Sequence, residues 1–169
     1  MMYEFTLIVD HDPTEYSDEL FEVAEGQLIP EGGAGDNLVH VYSGADSFTA
    51  AVIQAIHEIE SVGLAVVGIA SDDLVSLKDV AGRTERTYES MRLLAAGKRG
   101  PGGFPAPMST GQWSLYSWAE VSTWLARAYG TDTPSEYDCN LAAADHLIRA
   151  RRILASADRR QQLRELVTA

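Results

Sequence analysis

Apolar residues in the first 70 positions follow two spacings, one typical of strands and one typical of helices. Phe48, Val52, Ile56 and Ile59 recur at helical spacing, which predicts an amphipathic helix around them. A shorter helix with acidic residues in its first turns is predicted before it. Runs rich in β-branched and aromatic residues predict strands between the helices. The predicted elements are strands at 3–10, 38–43 and 64–70 and helices at 14–26 and 46–63.

The order of these elements predicts a βαβαβ module. Parallel strands need crossover connections that helices usually supply, so we expect a small sheet with both helices on one face. The glycine-rich segment 29–37, between the first helix and the second strand, is predicted to be a loop. The fold class expected for the whole chain is α+β.

Two short helices are predicted in the middle of the chain. The first, at 73–84, contains the cap candidate Ser76, and the second, at 88–96, follows the cap candidate Thr87 and ends at Gly97. Joined by a tight turn, they form a helix-turn-helix, in which the second helix enters the major groove of DNA. A plain αα-hairpin with a solvated outer face is the alternative.

The second of these helices is predicted to have one buried and one polar face. Met91 and Leu94 have the spacing to pack on the first helix. Polar groups then remain near the helix start, where a helix-turn-helix protein contacts base edges. The residues predicted to face outward are Tyr88, Glu89, Ser90 and Arg92.

The segment after the second helix is predicted to be a folded wing rather than a linker. Its prolines lack backbone donors and bias the preceding residues to extended conformations, which excludes a helix over 98–107. Two short runs then flank the turn candidates Thr110 and Gly111, which indicates a hairpin. Lys98, Arg99 and nearby glycine amides are expected where such a wing meets the phosphate backbone.

Three tryptophans follow within this region. Trp118 and Trp124 are expected to pack in the core, whereas Trp113 is expected on a wing strand. Stacking on bases, as in single-strand binders, is the alternative role for these rings.

The C-terminal part of the chain is predicted to be one long amphipathic helix at 140–167, after a linker at 130–138. Its basic cluster at 149–152 is expected to be a solvated face, with contact to DNA phosphate as the alternative. A terminal helix of this length is a natural dimer contact, because paired half-sites call for paired proteins.

Charge divides the chain into modules. The formal net charge of −12 argues, taken whole, against nucleic acid. Residues 1–77, however, hold fifteen Asp or Glu and no Lys or Arg, whereas residues 78–130 hold seven basic and four acidic side chains. This change in net charge along the chain indicates modules with different partners. We expect an acidic effector or oligomerisation domain at 1–72, a DNA-binding domain at 73–130 and a helical segment at 131–169.

The chemistry-bearing residues form no recognisable catalytic or metal site. The Asp-His-Asp run at 10–12 lies in a turn, where Asp commonly bonds backbone groups, with cation binding as the alternative. His40 and His57 lack metal-ligand spacing, and the glycine-rich run at 31–36 lacks the lysine and hydroxyl of a P-loop. Cys139 is the single cysteine, so an internal disulfide is excluded. We therefore expect no catalytic residue, no metal and no cofactor, and not an enzyme.

Neither a membrane span nor a secretory signal is expected. No stretch approaches the roughly 18 to 20 apolar residues of a membrane helix. The first residues carry no positive charge before their apolar stretch. The expected location is the cytoplasm, and the nucleoid when the protein is bound to DNA.

A series of motifs runs through residues 74–125. It comprises a helix with a central alanine, a short turn, a helix closing in glycine, a Phe-Pro-x-Pro motif, a wing and a tryptophan-bearing segment. This series resembles the MerR superfamily of winged helix-turn-helix proteins, in its small excisionase-like or AlpA-like branch. Glu85 is a departure, since the family's turn usually has glycine there. The matching residues are Ala81, Gly97, Phe104, Pro105, Pro107, Trp118, Glu120, Val121, Trp124 and Leu125.

The resemblance implies a wing that also reaches the minor groove, and the expected function is that of a bacterial or phage-type transcription regulator binding double-stranded DNA, most simply as a homodimer. The alternative is an antitoxin or adaptor whose acidic N-terminal domain binds a basic protein. Binding of a small ligand by that domain is a further alternative. The residues expected at DNA are Arg83, Arg86, Thr87, Tyr88, Glu89, Ser90, Arg92, Lys98, Arg99, Gly100 and Trp113.

Overall fold

The chain divides into two compact units, one of residues 1–70 with 143–169 and the other of residues 71–142. The computed structural model describes residues 1–33, 35–109, 113–132, 136–154 and 157–168. The turn predicted at Thr110 and Gly111 lies outside the described residues. Residues 143–169, which sequence groups with 131–142, belong to the first unit.

Strands and helices alternate irregularly along the chain, and the fold is mixed α and β. In chain order the elements are β1 (Tyr3–Val9), a 3₁₀ turn (Pro13–Tyr16), α1 (Ser17–Ala24), β2 (Leu28–Gly33), β3 (Asp36–Ser43), α2 (Phe48–Ser61), β4 (Val66–Ile69), β5 (Leu74–Ser76), α3 (Leu77–Arg83), α4 (Tyr88–Ala95), β6 (Leu115–Ser117), α5 (Trp118–Tyr129), α6 (Glu136–Ile153), α7 (Ala157–Leu163) and α8 (Glu165–Thr168).

The first unit contains an antiparallel sheet in the order β2-β3-β1-β4. Helix α1 joins β1 to β2 and α2 joins β3 to β4, which is the split βαβ arrangement. The predicted parallel βαβαβ module is therefore wrong. The loop predicted at 29–37 is wrong for residues 29–33 and 36–37, which lie in β2 and β3: Glu31, Gly32 and Gly33 pair with residues of β3 in a hairpin. This extra strand reverses the chain direction between the two helices.

Alternate residues of β1 build the core of the first unit. Phe5, Leu7 and Val9 are buried, and the ring of Phe5 meets the ring of Phe48 on α2 edge to face, with centroids 5.8 Å apart. Helix α2 begins at its cap Ser47, whose hydroxyl accepts a hydrogen bond from the Ala50 N–H. The odd-numbered side chains of β1 therefore face the helices, and the even-numbered ones face away from them.

Helix α6 follows the open edge of β4. The Asp145 carboxylate is buried and accepts a hydrogen bond from the Ile69 N–H at 2.9 Å, a donor that no neighbouring strand satisfies. Arg149 donates to the same carboxylate at 2.8 Å, and Arg151 forms an ion pair with Glu60 on α2. Side chains of α6 thus replace a fifth strand and cover an edge that could otherwise pair with another chain.

The C-terminal segment is not the single long helix predicted at 140–167. It is divided into α6, α7 and α8. Beyond α6, the apolar side chains of Leu163, Leu166 and Val167 are exposed, so these three side chains do not supply the packing that would stabilise a single long helix. In the described ranges, no helix has the length and hydropathy of a membrane span.

The second unit has a two-stranded antiparallel sheet, in which Val75 of β5 lies opposite Tyr116 of β6. Sequence predicted a helix from residue 73, whereas residues 74–76 form β5 and the helix begins at Leu77. Val75 and Tyr116 are both buried, so cross-strand packing outweighs the local helical pattern here.

One apolar core joins the elements of the second unit. Its buried members come from β5, α3, α4, β6 and α5, and the prediction that Met91 and Leu94 pack inward is confirmed. Trp118 and Trp124 are partly buried against the same core, which confirms the packing role predicted for them. The buried residues are Val75, Val80, Ala81, Met91, Leu94, Tyr116, Val121 and Leu125.

The turn between α3 and α4 contains a residue in the left-handed conformation. Glu85 has φ +52°, a value that glycine adopts without the steric cost of a side chain. We expect Glu85→Gly to raise the free energy of unfolding by about 1 kcal/mol, because it removes the contact between Cβ and the backbone. Chemical denaturation measures the change.

Thr84→Gly is the matched control for this substitution. Thr84 has φ −107°, and its hydroxyl donates to the Val80 carbonyl at 2.7 Å, so glycine there is expected to destabilise the unit. Equal effects of the two glycines would contradict the strain assigned to Glu85.

Candidate nucleic-acid interface

Helices α3 and α4 each begin at the cap that sequence predicts. The Ser76 hydroxyl accepts from the Asp79 N–H at 3.2 Å, and the Asp79 carboxylate accepts from the Ser76 N–H at 2.8 Å, forming a capping box. The Ser76 hydroxyl also donates to Asp79, which lowers the pKa of that carboxyl. Thr87 caps α4 by accepting from the Ser90 N–H at 3.2 Å. Both cap predictions are confirmed.

Helix α4 ends in a Schellman motif. The Gly97 N–H donates to the Leu94 carbonyl at 3.0 Å, and the Lys98 N–H donates to the Leu93 carbonyl at 2.9 Å. Gly97 has φ +65°, which a side chain at this position would disfavour. The backbone of Lys98 is therefore held directly against the end of the helix.

The two faces of α4 differ as sequence predicts, with one exception. Met91 is fully buried, whereas Tyr88 and Glu89 are exposed. Ser90 was expected to face outward, but it is only half exposed. The first turn therefore presents a tyrosine and a carboxylate, with Arg92 one turn later.

Arg92 and Glu89 form a bidentate ion pair on the exposed face of α4. The Arg92 guanidinium donates to the two Glu89 carboxylate oxygens at 2.8 and 2.6 Å. Hydrogen bonding between them lowers the pKa of Glu89 and raises the pKa of Arg92. Both groups stay charged at neutral pH, and the pair fixes the plane of the guanidinium.

Two of the arginines expected at DNA lie over aromatic rings of the same unit. The Arg83 guanidinium is 5.0 Å from the centre of the Trp118 ring, and the Arg86 guanidinium is 4.5 Å from that of Tyr129. Such cation–π contacts hold the side chains without neutralising them. Arg83 and Arg86 thus stabilise the contact of α3 and the turn with α5.

The segment after α4 is folded onto the core. The Trp124 indole N–H donates to the Gly102 carbonyl at 3.0 Å, and the Phe104 ring packs edge to face on the rings of Tyr116 and Trp124. Glycines supply the positive φ values that this compact path requires, at Gly97, Gly100, Gly102 and Gly103.

Lys98 and Arg99 lie at the start of this segment, and both are exposed. Gly100 follows them in close contact with the unit, because a Cβ built there would lie 2.7 Å from Leu94 and from the Tyr129 hydroxyl. The two cations are therefore presented from a constrained backbone. This is a geometry suited to contacting phosphate oxygens.

Backbone contacts hold the chain on both sides of the predicted wing tip. The Met108 N–H donates to the Leu115 carbonyl at 2.7 Å, and the Ser109 hydroxyl both donates to the Trp113 carbonyl and accepts from the Leu115 N–H. Trp113 is 80% exposed, but it precedes β6 and does not lie on a strand, so its predicted place on a wing strand is wrong. Among the described residues, the strand after the tip pairs with β5 and not with a strand before the tip.

A groove runs between the start of α4 and this exposed tryptophan. It brings together Tyr88 and Trp113, which sequence predicted, and Lys78, which it missed. The available signal was the position of Lys78 in the first turn of α3, two residues after the cap Ser76. The groove is lined by Ser76, Leu77, Lys78, Tyr88, Trp113, Ser114, Leu115 and Tyr116.

The residues of the Asp-His-Asp run at 10–12 have structural partners. His11 contacts Asp10 at 2.9 Å and the Tyr16 hydroxyl at 3.1 Å, while the Asp12 carboxylate accepts from the Thr14 N–H. In the part of the chain that the structure describes, no group of three or more His, Cys, Asp and Glu could hold a metal ion.

No protein-family model, no curated protein and no solved structure matches the chain. A function for the second unit therefore depends on its own residues and their geometry.

Proposed function

We propose that the second unit is a winged helix-turn-helix domain and that the protein is a sequence-specific regulator that binds double-stranded DNA. The observation that carries the proposal is helix α4. Its buried side is fastened to α3 through Met91, its polar side presents Tyr88, Glu89 and Arg92, and its end leads directly to Lys98. A recognition helix in the major groove requires this division of faces.

Each exposed group in the proposed interface has a role. Arg92 reads guanine in the major groove, where arginine donates to O6 and N7, and Glu89 orients it. Lys98 and Arg99 bind phosphate and set the position of the domain on the duplex. Tyr88, Lys78 and Trp113 line the groove that receives the neighbouring backbone.

Local charge supports DNA binding by residues 78–130 of the second unit and not by residues 1–77. Residues 78–130 hold three more basic than acidic side chains, whereas residues 1–77 hold fifteen acidic ones and no Lys or Arg. Carboxylates near phosphate cost affinity, so the acidic residues weaken association at low ionic strength.

Substitutions of the exposed cations test these roles. Lys98→Ala and Arg99→Ala are expected to weaken binding to all duplexes alike and to reduce the slope of log K against log salt by about 1 each. Arg92→Ala is expected to lose about 1 to 3 kcal/mol of discrimination at one guanine. Fluorescence anisotropy with selected and random duplexes at two salt concentrations measures both effects.

Arg160→Ala is the matched control, because it removes the same charge from an exposed site in the first unit. We expect it to leave DNA affinity within about twofold of the parent protein. If Arg160→Ala and Lys98→Ala weakened binding equally, the loss would reflect net charge and the phosphate role of Lys98 would be wrong.

An adaptor or antitoxin function is the second candidate, favoured by the absence of Lys and Arg from residues 1–77. An acidic surface of this kind attracts a basic protein. Duplex binding at low salt distinguishes the two functions, because an adaptor without a DNA-binding role leaves every duplex unbound.

A further inference from the structure

The face of the antiparallel sheet that points away from α1 and α2 mixes apolar and charged groups. Strand alternation places the even-numbered residues of β1 on this face, opposite the buried Phe5, Leu7 and Val9. Ile29 at its outer strand is 50% exposed. The side chains of β1, β2 and β3 on this face are Glu4, Thr6, Ile8, Ile29, Glu31, Leu38, His40 and Tyr42.

One row of this face runs from an acidic to a basic end. The register places Glu31 of β2 beside Leu38 of β3, Leu38 beside Ile8 of β1, and Ile8 beside Gly68 of β4. A Cβ at Gly68 would lie 2.9 Å from the Asp145 carboxylate and 3.0 Å from the Arg149 guanidinium, so this ion pair occupies the space that a side chain of β4 would fill, and Arg149 is its exposed member. The row therefore reads acidic, apolar, apolar, basic.

Arg149 is held at this position and is still accessible. Its guanidinium donates to the buried Asp145 carboxylate at 2.8 Å, while its side chain is 52% exposed. Since residues 1–77 contain no Lys or Arg, this helix supplies the cation of the row. The glycine at position 68 and the carboxylate at position 145 together place a positive charge at one border of an otherwise acidic face.

We propose that this face is a dimer interface that pairs with the same face of a second copy of the chain about a two-fold axis. A two-fold rotation about an axis through the middle of the row reverses its order. Glu31 of one copy then meets Arg149 of the other, and Leu38 packs on Ile8. The row spans three strand spacings, about 14 Å, so Glu31 and Arg149 of one copy are too far apart to pair with each other.

Self-pairing suits this face better than a basic partner does. A basic protein would satisfy Glu31 but would bring its cations against Arg149, at a cost in electrostatic energy. Within one copy Glu31 pairs with His40 and Arg149 pairs with Asp145, and the two-fold arrangement adds a pair between Glu31 and Arg149 at each end of the row. Strand spacing and strand length give this face dimensions of about 15 by 20 Å, which is small for a stable dimer, so we expect association only at tens of micromolar or above.

Sedimentation velocity of the full chain, from about 1 to 200 µM, tests the proposal. We expect a dimer that forms at tens of micromolar and that weakens as salt screens the ion pairs. Glu31→Arg and Arg149→Glu are each expected to raise the dimer dissociation constant at least about tenfold, because each brings like charges together. Arg149→Glu also removes the partner of the buried Asp145, so its melting temperature is measured beside its dissociation constant. The double variant restores opposite charges and is expected to return within about threefold of the parent.

Two further variants separate the interface from general effects. Glu22→Arg makes the same charge change on exposed α1, on the other side of the sheet, and is expected to leave dimerisation unchanged. Ile29→Glu, at a half-exposed site, is expected to weaken the dimer and to change the stability of the monomer by no more than about 1 kcal/mol. A protein that stays monomeric at about 200 µM, or a double variant no better than the two singles, would overturn the proposal.

Discussion

Met91→Ala is expected to lower the free energy of unfolding of the second unit by about 2 to 5 kcal/mol, the range for deleting a large buried side chain. Met91 is fully buried and belongs to the core that joins α3, α4, α5 and the β5–β6 pair. Truncation removes apolar burial and leaves a cavity where the elements meet. The position of α4 depends on this core, so the variant is expected to lose DNA affinity together with stability.

Urea denaturation followed by tryptophan fluorescence measures this loss. Trp113, Trp118 and Trp124 all lie in the second unit, so the signal reports on that unit alone. Arg92→Ala, on the exposed side of the same helix, is the control and is expected to change stability by no more than about 0.5 kcal/mol. If Met91→Ala also unfolded within that margin of the parent protein, the core assigned to this unit would be wrong.

Gly100→Ala is expected to destabilise the second unit by about 2 to 4 kcal/mol, for two physical reasons that add. Gly100 has φ +80°, which disfavours any residue with a side chain. Its Cβ would also lie 2.7 Å from both Leu94 and the Tyr129 hydroxyl, so one of them has to move. Either movement disturbs the segment that presents Lys98 and Arg99.

Gly102→Ala measures the conformational part of this effect without the steric part. Gly102 has φ +79°, nearly the same as Gly100, but a Cβ there meets no atom within 4 Å. We expect it to cost only the conformational term, about 1 to 2 kcal/mol. Thermal unfolding of the two variants side by side gives the difference, and equal losses would show that Gly100 is not in close contact with α4 and α5.

Local signals predicted much of the second unit because short-range chemistry determines its helix ends. Ser76 and Thr87 cap the two helices as hydroxyl residues do elsewhere, and Gly97 ends α4. The spacing of Met91 and Leu94 predicted the buried face of α4. These features depend on residues within four positions of one another, which a sequence displays directly.

Elements that depend on distant partners were not predictable in the same way. Strand β2 ends in Glu31-Gly32-Gly33, residues of low strand propensity, and forms because β3 offers a full ladder of hydrogen bonds. Strand β5 has three residues and is a strand because Val75 packs with Tyr116, 41 positions later. Tertiary pairing overrides local preference at both places.

The residues of the candidate interface show the same difference between local signals and distant contacts. Sequence identified Lys98, Arg99 and Trp113 as exposed groups, and the structure places them on the surface. It did not predict that Arg83 and Arg86 lie over the rings of Trp118 and Tyr129, since those contacts join residues more than thirty positions apart. Residues 97–107 are rich in glycine and proline. They form a compact segment because the rings of Phe104 and Trp124 pack on each other.

Titration of the full-length protein with a pool of random duplexes, followed by selection of the bound fraction, tests the proposed DNA binding most directly. We expect duplex binding at low salt, with log K falling linearly as log salt rises, and enrichment of sites that contain a guanine whose preference Arg92→Ala removes. No binding of any duplex at about 50 mM salt would contradict the account, because the phosphate contacts assigned to Lys98 and Arg99 are strongest there.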